Sequence, residues 1–380
     1  MDINVVNALM ACAAPPNNNR LFTWGANNYG QLAVGYTTTT DSLYPIQPNF
    51  FGDWEYVYCA RRSWGASLKV DGTLWLWGHN DYGQLGTNDT IDRYLPTLVN
   101  SDTDWADVAL GLQWTLAIKQ NGTLWAWGKG NQLGTGSSTD YYYPVQIGVG
   151  TNWSKVAAGD THSLGLKTDG TLWAWGSNNY GQLGNNNVPF NELAPVQVGT
   201  DTNWASVACG GYHSLAIKTN GTIWSWGRND VGALGQGDQT DRPIPTQVLY
   251  PIGHPLYGQN SDWSKVEGGG FFTLAIKTNG SLWAWGQGGN GQLGQGNNDN
   301  YLIPVVVGTE TNWDKIACGA YHSLAIKTNN TLWAWGENGN GQLGVGTTSN
   351  IATPTQVGVE TTWTDVSGSG ETEFSMGVLS

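Results

Sequence analysis

Along most of the chain, apolar and polar residues alternate in runs of five or six, and each run stops at glycine, asparagine or aspartate. "HSLGLKT" (162–168) and "TLWAWG" (171–176) are typical. A period of two over so few residues, bounded by turn formers, predicts half-buried β-strands joined by tight turns. Long helical patterns are absent, so the expected fold is all-β.

The pattern recurs. "LFTWGANNYGQLA" completes its motif at Trp24, "LWLWGHNDYGQLG" at Trp77, "LWAWGKGNQLG" at Trp127 and "LWAWGSNNYGQLG" at Trp175. "IWSWGRNDVGALG" follows at Trp226, "LWAWGQGGNGQLG" at Trp285 and "LWAWGENGNGQLG" at Trp335, with steps of 48 to 59 residues. A second ladder, Trp54, Trp105, Trp153, Trp204, Trp263, Trp313 and Trp363, keeps the same step. A fixed period near 50 signals a repeat architecture and overrides the two or three domains that 380 residues would otherwise suggest.

Within a unit, the ladder tryptophan opens one strand ("WSKVAAG"), "HSLGLKT" is a second and "TLWAWG" a third. Runs such as Pro195 to Val198 and Pro144 to Ile147 supply a fourth, whose leading proline suits a sheet edge. Between the second and third strands stand Asp71-Gly72, Asn121-Gly122, Asp169-Gly170, Asn220-Gly221 and Asn279-Gly280, pairs that fit a two-residue type I′ turn. Asn329-Asn330 is the sixth and weakest. Four antiparallel strands in each of seven units make a seven-bladed β-propeller. The chain enters on a third strand ("RLFTWG") and leaves on a first and second ("WTDVSGSG", "EFSMGVL"). The last blade is therefore expected to be closed by N- and C-terminal strands, leaving no open edge. Residues 1–20 read as an extension and 21–380 as a single propeller.

Composition explains what the tryptophans are for. Of 22, thirteen lie in the W-x-W-G motifs, where Phe22 replaces one, seven form the ladder, and Trp64 and Trp114 complete the total. Both rings of "LWAWG" project from one strand face, which in a propeller packs on the neighbouring blade. A net charge of −13 disfavours a phosphate backbone, so no nucleic acid is expected as partner. No apolar run approaches the ~18 residues of a membrane span, so no membrane insertion is expected. "LMAC", ending at Cys12, resembles a lipoprotein processing site, yet the residues before it include Asp2 and no Lys or Arg, against a secretory signal. Cys59, Cys209 and Cys318 each follow a ladder tryptophan by five residues; equivalent positions in separate repeats do not meet, so these read as buried thiols rather than disulfides.

Candidate chemistry is sparse. His162, His213 and His322 each lie nine residues after a ladder tryptophan and could bind a metal or act as bases. The matching positions elsewhere hold Trp64, Trp114, Phe272 and Phe374, so this reads as a packing position. Without an H-E-x-x-H, a nucleophile elbow, a phosphate-binding loop or a calcium loop, no catalytic residue, metal or cofactor is expected, and the chain does not read as an enzyme.

The W-G-x-N-x-x-G-Q-L-G signature, with the G-x-x-H-S-L-A-I-K strands at Gly210–Lys218 and Gly319–Lys327, resembles the regulator of chromosome condensation repeat family over residues 21–380. The resemblance implies the seven-bladed propeller. It implies no single activity, because the scaffold hosts guanine-nucleotide exchange, ultraviolet sensing in plants and inhibition of β-lactamases. Exchange is disfavoured, since the basic tail of the chromatin-bound member has no counterpart and Lys167, Lys218, Lys277 and Lys327 are dispersed. Light sensing needs a G-W-R-H-T motif, of which "ARRSW" (Ala60 to Trp64) is a faint echo; Arg61 and Arg62 read as rim residues. Low charge and near-identical blades resemble the propellers of bacteria and tailed phages. That implies a virion-associated structural, decoration or adhesion protein, virion-bound or cytoplasmic rather than secreted. The competing class is a soluble enzyme regulator of the β-lactamase-inhibitor kind.

Loops at the blade ends are the natural binding elements. "VLYPIGHPLYGQN" (248–260) accounts for the longest step, and Tyr and His held by Pro suit a contact loop; "YTTTTDSLYPIQPNFF" (36–51) is comparable. The expected partner-contact residues are Arg61, Arg62, Trp64, Trp114, Tyr250, His254 and Tyr257. The expected partner is a protein, a virion neighbour or host surface component, with glycan recognition left open by the Trp and Tyr content.

Overall fold

Each repeat folds locally as its alternation dictates. In a representative blade, β11 (Trp153–Ala158), β12 (His162–Lys167), β13 (Leu172–Gly176) and β14 (Glu192–Gln197) pair antiparallel in that order. The computed structural model describes residues 19–380 except 39, 51, 251, 257, 259, 260, 371 and 372, so most of the expected extension lies outside the described residues. Among the described residues the chain forms 28 strands in seven four-stranded sheets and no α-helix. The molecule is a seven-bladed β-propeller.

Its closing blade has the order β2-β1-β28-β27, built from β1 (Arg20–Gly25), β2 (Ser42–Ile46), β27 (Trp363–Gly368) and β28 (Phe374–Leu379). β1 and β28 pair from Arg20↔Leu379 to Gly25↔Phe374. Both ends of the chain are thus tied into one sheet, and the ring has no unpaired seam.

The hairpin between the second and third strands differs from expectation. Positive φ occurs at Gly72 (76°), whereas Asp71 is not among the positive-φ residues. The bonds Gly72 N→Lys69 O (2.9 Å) and Lys69 N→Thr73 O (3.0 Å) describe a type I turn followed by a left-handed glycine, not a two-residue type I′ turn. Asp or Asn is selected for a different reason. Asp71 Oδ1 accepts the Thr73 N–H (3.0 Å) and hydroxyl (2.6 Å), and Thr73 Oγ1 accepts the Trp75 indole N–H at 2.9 Å. The relay repeats at Asn121-Thr123-Trp125 and Asn329-Thr331-Trp333, where Asn330 takes the glycine position at φ 59°. The outer strand also begins earlier than expected: Pro195 lies inside β14, at the register shift between Ala174 and Gly176, where its missing N–H costs nothing.

The seams explain the rest of the motif. In the representative blade the ladder Trp153 sits edge-on to Trp173 (6.1 Å between centroids) and Trp175 (6.0 Å), and Lys167 Nζ lies 3.7 Å from the centre of the Trp173 ring. Trp175 is fully buried against Leu116, Leu124 and Leu133 of the preceding blade. Its indole N–H donates to Gln132 O (2.9 Å), as Trp226 does to Gln182 O (2.9 Å) and Trp24 to Gln342 O (2.8 Å). G-Q-L-G therefore presents a carbonyl to the next blade's tryptophan. Burying such a ring contributes several kcal/mol at most, at about 25 cal/mol per Å2 over ~200 Å2.

The closing glycine of G-Q-L-G is required twice over. Gly184 has φ 70°, and a Cβ there would stand 2.8 Å from Trp226 Nε1. In the closing blade the same place is taken by Ala33 at φ 59°. Gly184→Ala should lower unfolding free energy by about 2 kcal/mol or more, the left-handed cost plus displacement of the indole. Ala33→Gly should raise the urea midpoint; equilibrium denaturation of both variants checks the pair.

Candidate functional site

Antiparallel order sends the turns between first and second strands, and those between third and fourth, to one face of the ring. The hairpins and the inter-blade connections lie on the other. On the first face the turns knit together: His79 N bonds Ser63 O and Arg228 N bonds Tyr212 O, both at 3.0 Å. Around the axis, main-chain bonds run from blade to blade, Asp160 N→Gly211 O (3.0 Å), Gly211 N→Gly270 O (3.1 Å), Gly270 N→Ala320 O (3.1 Å) and Ala320 N→Ser369 O (3.1 Å). Small residues make this approach possible, since a Cβ at Gly270 would meet Ala320 O at 2.8 Å.

Arg61 completes that ring. Its Nη2 donates to Cys209 O at 3.0 Å and Gly268 O at 3.3 Å, and its Nε lies 3.5 Å from Asp160 Oδ1. One buried side chain thus ties its own blade to three others across the axis. The expectation that Arg61 is a rim residue is corrected here. Its turn holds one extra residue, and the side chain reaches inward to main-chain carbonyls at the ends of the inner strands. Behind it lies an axial channel of about 450 Å3 lined by the inner strands of all seven blades, including Tyr58, Cys59, Asp107, Cys209, Glu267 and Cys318. Those three cysteines are free, and burial raises their thiols above the ordinary value. The Glu267 side chain is exposed on the channel wall, and the protein crowded around it raises its carboxyl to about 7, against the opposing pull of Arg61.

Outside the channel mouth the same face carries an aromatic cluster centred on a cation. Arg228 stands 4.9 Å from the ring of Tyr180, 5.0 Å from Phe271 and 5.7 Å from Tyr212, and its Nη2 pairs with Asp230 at 2.7 Å. Tyr212 stacks on Phe271 (5.9 Å, 22°) and meets Tyr180 edge-on (5.7 Å). All four side chains are half-buried. Reading the repeats in register finds part of this cluster: before the second strand stand Tyr212, Phe271 and Tyr321 in three successive blades, where the other four have Ser63, Gln113, Thr161 and Glu373.

The seven expected contact residues do not share one surface. Arg61 lies in the channel, and Arg62 is half-buried beside it on the first face. Trp64 (0% exposed) and Trp114 (1%) are packed inside, the latter donating to Ser163 Oγ at 3.3 Å. Tyr250 and His254 lie on the opposite face, where Tyr250 turns inward (2% exposed) onto Trp283, with the His254 ring stacked on it at 4.8 Å. Tyr257 is outside the described residues. The proline-bounded loop thus spends Tyr250 on anchorage, and Ile252 (88% exposed) is what it presents.

The histidines are locked across the seams. His162, His213 and His322 are buried, with Nε2 at 2.8 Å from Ser214 Oγ, 3.2 Å from Thr273 Oγ1 and 3.0 Å from Ser375 Oγ of the following blade. Burial pushes all three down to about 3, so they are neutral at ordinary pH. Three His, Cys, Asp or Glu ligand atoms come within 4.8 Å of one another, among the described residues, at His79, Asp81 and Asp92 on an outer loop. No helix among the described residues is long and apolar enough to cross a membrane.

Seven blades with indole-to-carbonyl seams and one aromatic turn face define a propeller of the chromosome-condensation-regulator class. Residues 66–375 match the RCC1-like domain and residues 18–64 the regulator of chromosome condensation (RCC1) repeat, and the chain belongs to this family. It is 32% identical over 300 residues to the ultraviolet-B receptor UVR8 of Arabidopsis thaliana, covering 78% of this chain and 55% of the receptor. It is 30% identical over 325 residues to the mitochondrial RCC1 domain-containing protein RUG3 of the same plant, covering 77% of this chain and 71% of RUG3. The chain therefore spans about half the length of the receptor. Among solved structures, Prp20p of Saccharomyces cerevisiae superimposes with a TM-score of 0.84 at 18% identity, covering 96% of this chain and 92% of that one. Human WBSCR16 does so at 0.81 and 21% identity, covering 95% and 98%. These relatives are eukaryotic and lend nothing to a bacterial or phage type.

Arg61→Met should destabilise the fold by about 3 kcal/mol, because it removes a buried charge that bonds Cys209 O and Gly268 O and faces Asp160; chemical denaturation measures this. Glu267 is raised above its unfolded value of 4.5, so its contribution is fully present below that pH and is lost as pH rises through about 7. Glu267→Gln should accordingly raise the melting temperature at pH values above 7 and leave it unchanged in acid.

Proposed function

We propose that this chain is a non-catalytic, protein-binding regulatory propeller whose partner docks on the face formed by the first-to-second and third-to-fourth strand turns. The observation that carries this is the Arg228 cluster. An arginine held among three aromatic rings, half-buried on a rigid ring, matches the composition and preorganisation of interface hot spots. Aromatic rings already fixed by stacking lose little entropy on docking. The solved relative Prp20p is described with its binding to Gsp1p and histones, and a protein ligand is the feature this reading shares with it. The narrower form, a virion-associated decoration or adhesion protein, rests on repeat composition alone, and an enzyme-regulating role would use the same face.

The test is capture from the native source with the intact chain, quantified by mass spectrometry. A Tyr212→Ala/Arg228→Ala variant should lose about tenfold or more of any stoichiometric partner, while a chain with residues 250–257 replaced by a Gly-Ser link should retain it. The reverse pattern would move the interface to the opposite face. Labelled-nucleotide release from a small GTPase should not accelerate; acceleration would establish exchange instead.

A further inference from the structure

One loop of the ring brings a histidine and two aspartates to a single point. His79 follows β5 (Leu74–Gly78), and Asp81 and Asp92 lie in the connection to β6 (Arg93–Leu98). His79 Nε2 stands 2.9 Å from Asp81 Oδ2, and one ligand atom from each of the three residues lies within 4.8 Å of the other two. The imidazole is largely enclosed, its side chain 11% exposed, with the Tyr29 ring of the closing blade set edge-on against it at 4.7 Å. Asp92 spends one oxygen on the loop itself, Oδ1 accepting the Asn80 N–H at 2.8 Å, while the Asp81 side chain is 67% exposed and can turn.

Two other blades show what this point holds. Lys129 takes the place of His79 in the next blade, where its Nζ lies 3.7 Å from Asp140, the counterpart of Asp92, and 4.5 Å from the centre of the Tyr82 ring, the counterpart of Tyr29. Arg228 takes it two blades further on, 2.7 Å from Asp230, the counterpart of Asp81, and against Tyr180. In both, a side-chain cation sits between a tyrosine of the preceding blade and an acid of its own loop. The loops around His79 and Arg228 are otherwise alike. Each continues with Asn-Asp, each sets an aspartate (Asp92, Asp241) on the asparagine N–H, and each pairs an arginine with an aspartate four residues before it (Arg93 with Asp89, Arg242 with Asp238). The difference is the head group. A guanidinium or ammonium brings its own charge to the acids; an imidazole brings a ring nitrogen whose lone pair can take a metal ion.

We propose that His79, Asp81 and Asp92 form a binding site for one divalent transition-metal ion of the zinc type, with water completing its coordination. The ion is held by His79 Nε2 and one oxygen from each carboxylate. This mixed nitrogen–oxygen set suits zinc and its neighbours better than magnesium or calcium, which take oxygen ligands. Ligands of a tetrahedral zinc stand roughly 3.4 Å apart, so the 2.9 Å contact between His79 and Asp81 opens by about half an ångström to admit the ion, a shift that an exposed aspartate can make. Two carboxylates balance the charge of the ion. Because the ligands come from both ends of the β5–β6 connection, the ion also clips that loop shut. The site lies three blades from Arg228 and is independent of the partner reading.

Calorimetric titration of the intact, untagged chain with zinc chloride, and separately with magnesium and calcium chloride, tests this. Zinc should saturate at one equivalent and raise the melting temperature; magnesium and calcium should do neither. His79→Arg installs the residue that the matching loop carries as Arg228, so the fold should be kept while zinc binding is lost. Asp92→Asn should also keep the loop, because Asn191, Asn300 and Asn350 accept the same main-chain N–H elsewhere in the ring, and should weaken zinc about tenfold or more. Binding unchanged in His79→Arg would put the ion elsewhere, at His254 for instance, and overturn the assignment. No saturation by zinc, or calcium binding as tightly as zinc, would overturn it equally.

Discussion

The bond on which this structure depends is the one from an indole N–H to the main-chain carbonyl in the preceding blade's G-Q-L-G loop. A blade is a small twisted sheet that buries one face only when a neighbour covers it, and dispersion alone would let neighbours slide. The tryptophan joins area to direction: its ring fills the seam, and its N–H admits one register. The hydroxyl opposite it on the second strand, Ser214 facing Trp226, donates to the same Gln182 O at 2.7 Å, and His162 of the preceding blade meets that hydroxyl. Each seam is therefore a short polar chain inside an apolar layer, where an unmade bond is costly.

That constraint spends most of the chemistry. Trp64, Trp114 and the three histidines occupy one structural position, so aromatic bulk that resembles a site is in fact seam filling. The lysines at the ends of the second strands lie over the ladder and motif tryptophans, as Lys327 does at 3.4 Å from the Trp333 ring centre, and pair with acids such as Glu310 at 2.8 Å. What is left for recognition is what departs from the repeat, the aromatic arc with Arg228 on one face; the axial departures Arg61 and Glu267 lie inside the ring.

The axis shows how departures accumulate in a closed ring. Main-chain bonds link successive turns as far as Gly370 N→Ala60 O, and the Arg61 side chain of that last turn then reaches across the axis to Cys209 O and Gly268 O. Seven inner strands line the axial channel with alanine and valine interspersed among Asp107, Lys155, Glu267 and Asp365, and the Glu267 carboxyl is raised by the protein around it rather than by a hydrogen-bonded partner.

Alternation, the W-x-W-G period and the ladder were enough to read the blades, their number and the closure by both chain ends, because these features follow from local period and from counting. Turn type was misread at Asp71-Gly72, since aspartate there is chosen for its bond to Thr73 and not for positive φ, and only coordinates separate the two reasons. Tyr250, Trp64 and Trp114 look like contact aromatics in sequence and are buried in space. Conversely, Tyr180, Tyr212, Arg228 and Phe271 come from three blades, and Arg61, Asp160, Cys209 and Glu267 from four, and no local pattern joins them. Sequence by itself determined the strands and their repetition, which depend on neighbours in the chain; the tertiary ring decided which side chains meet, because the curvature of the ring sets what faces the axis and what faces a partner.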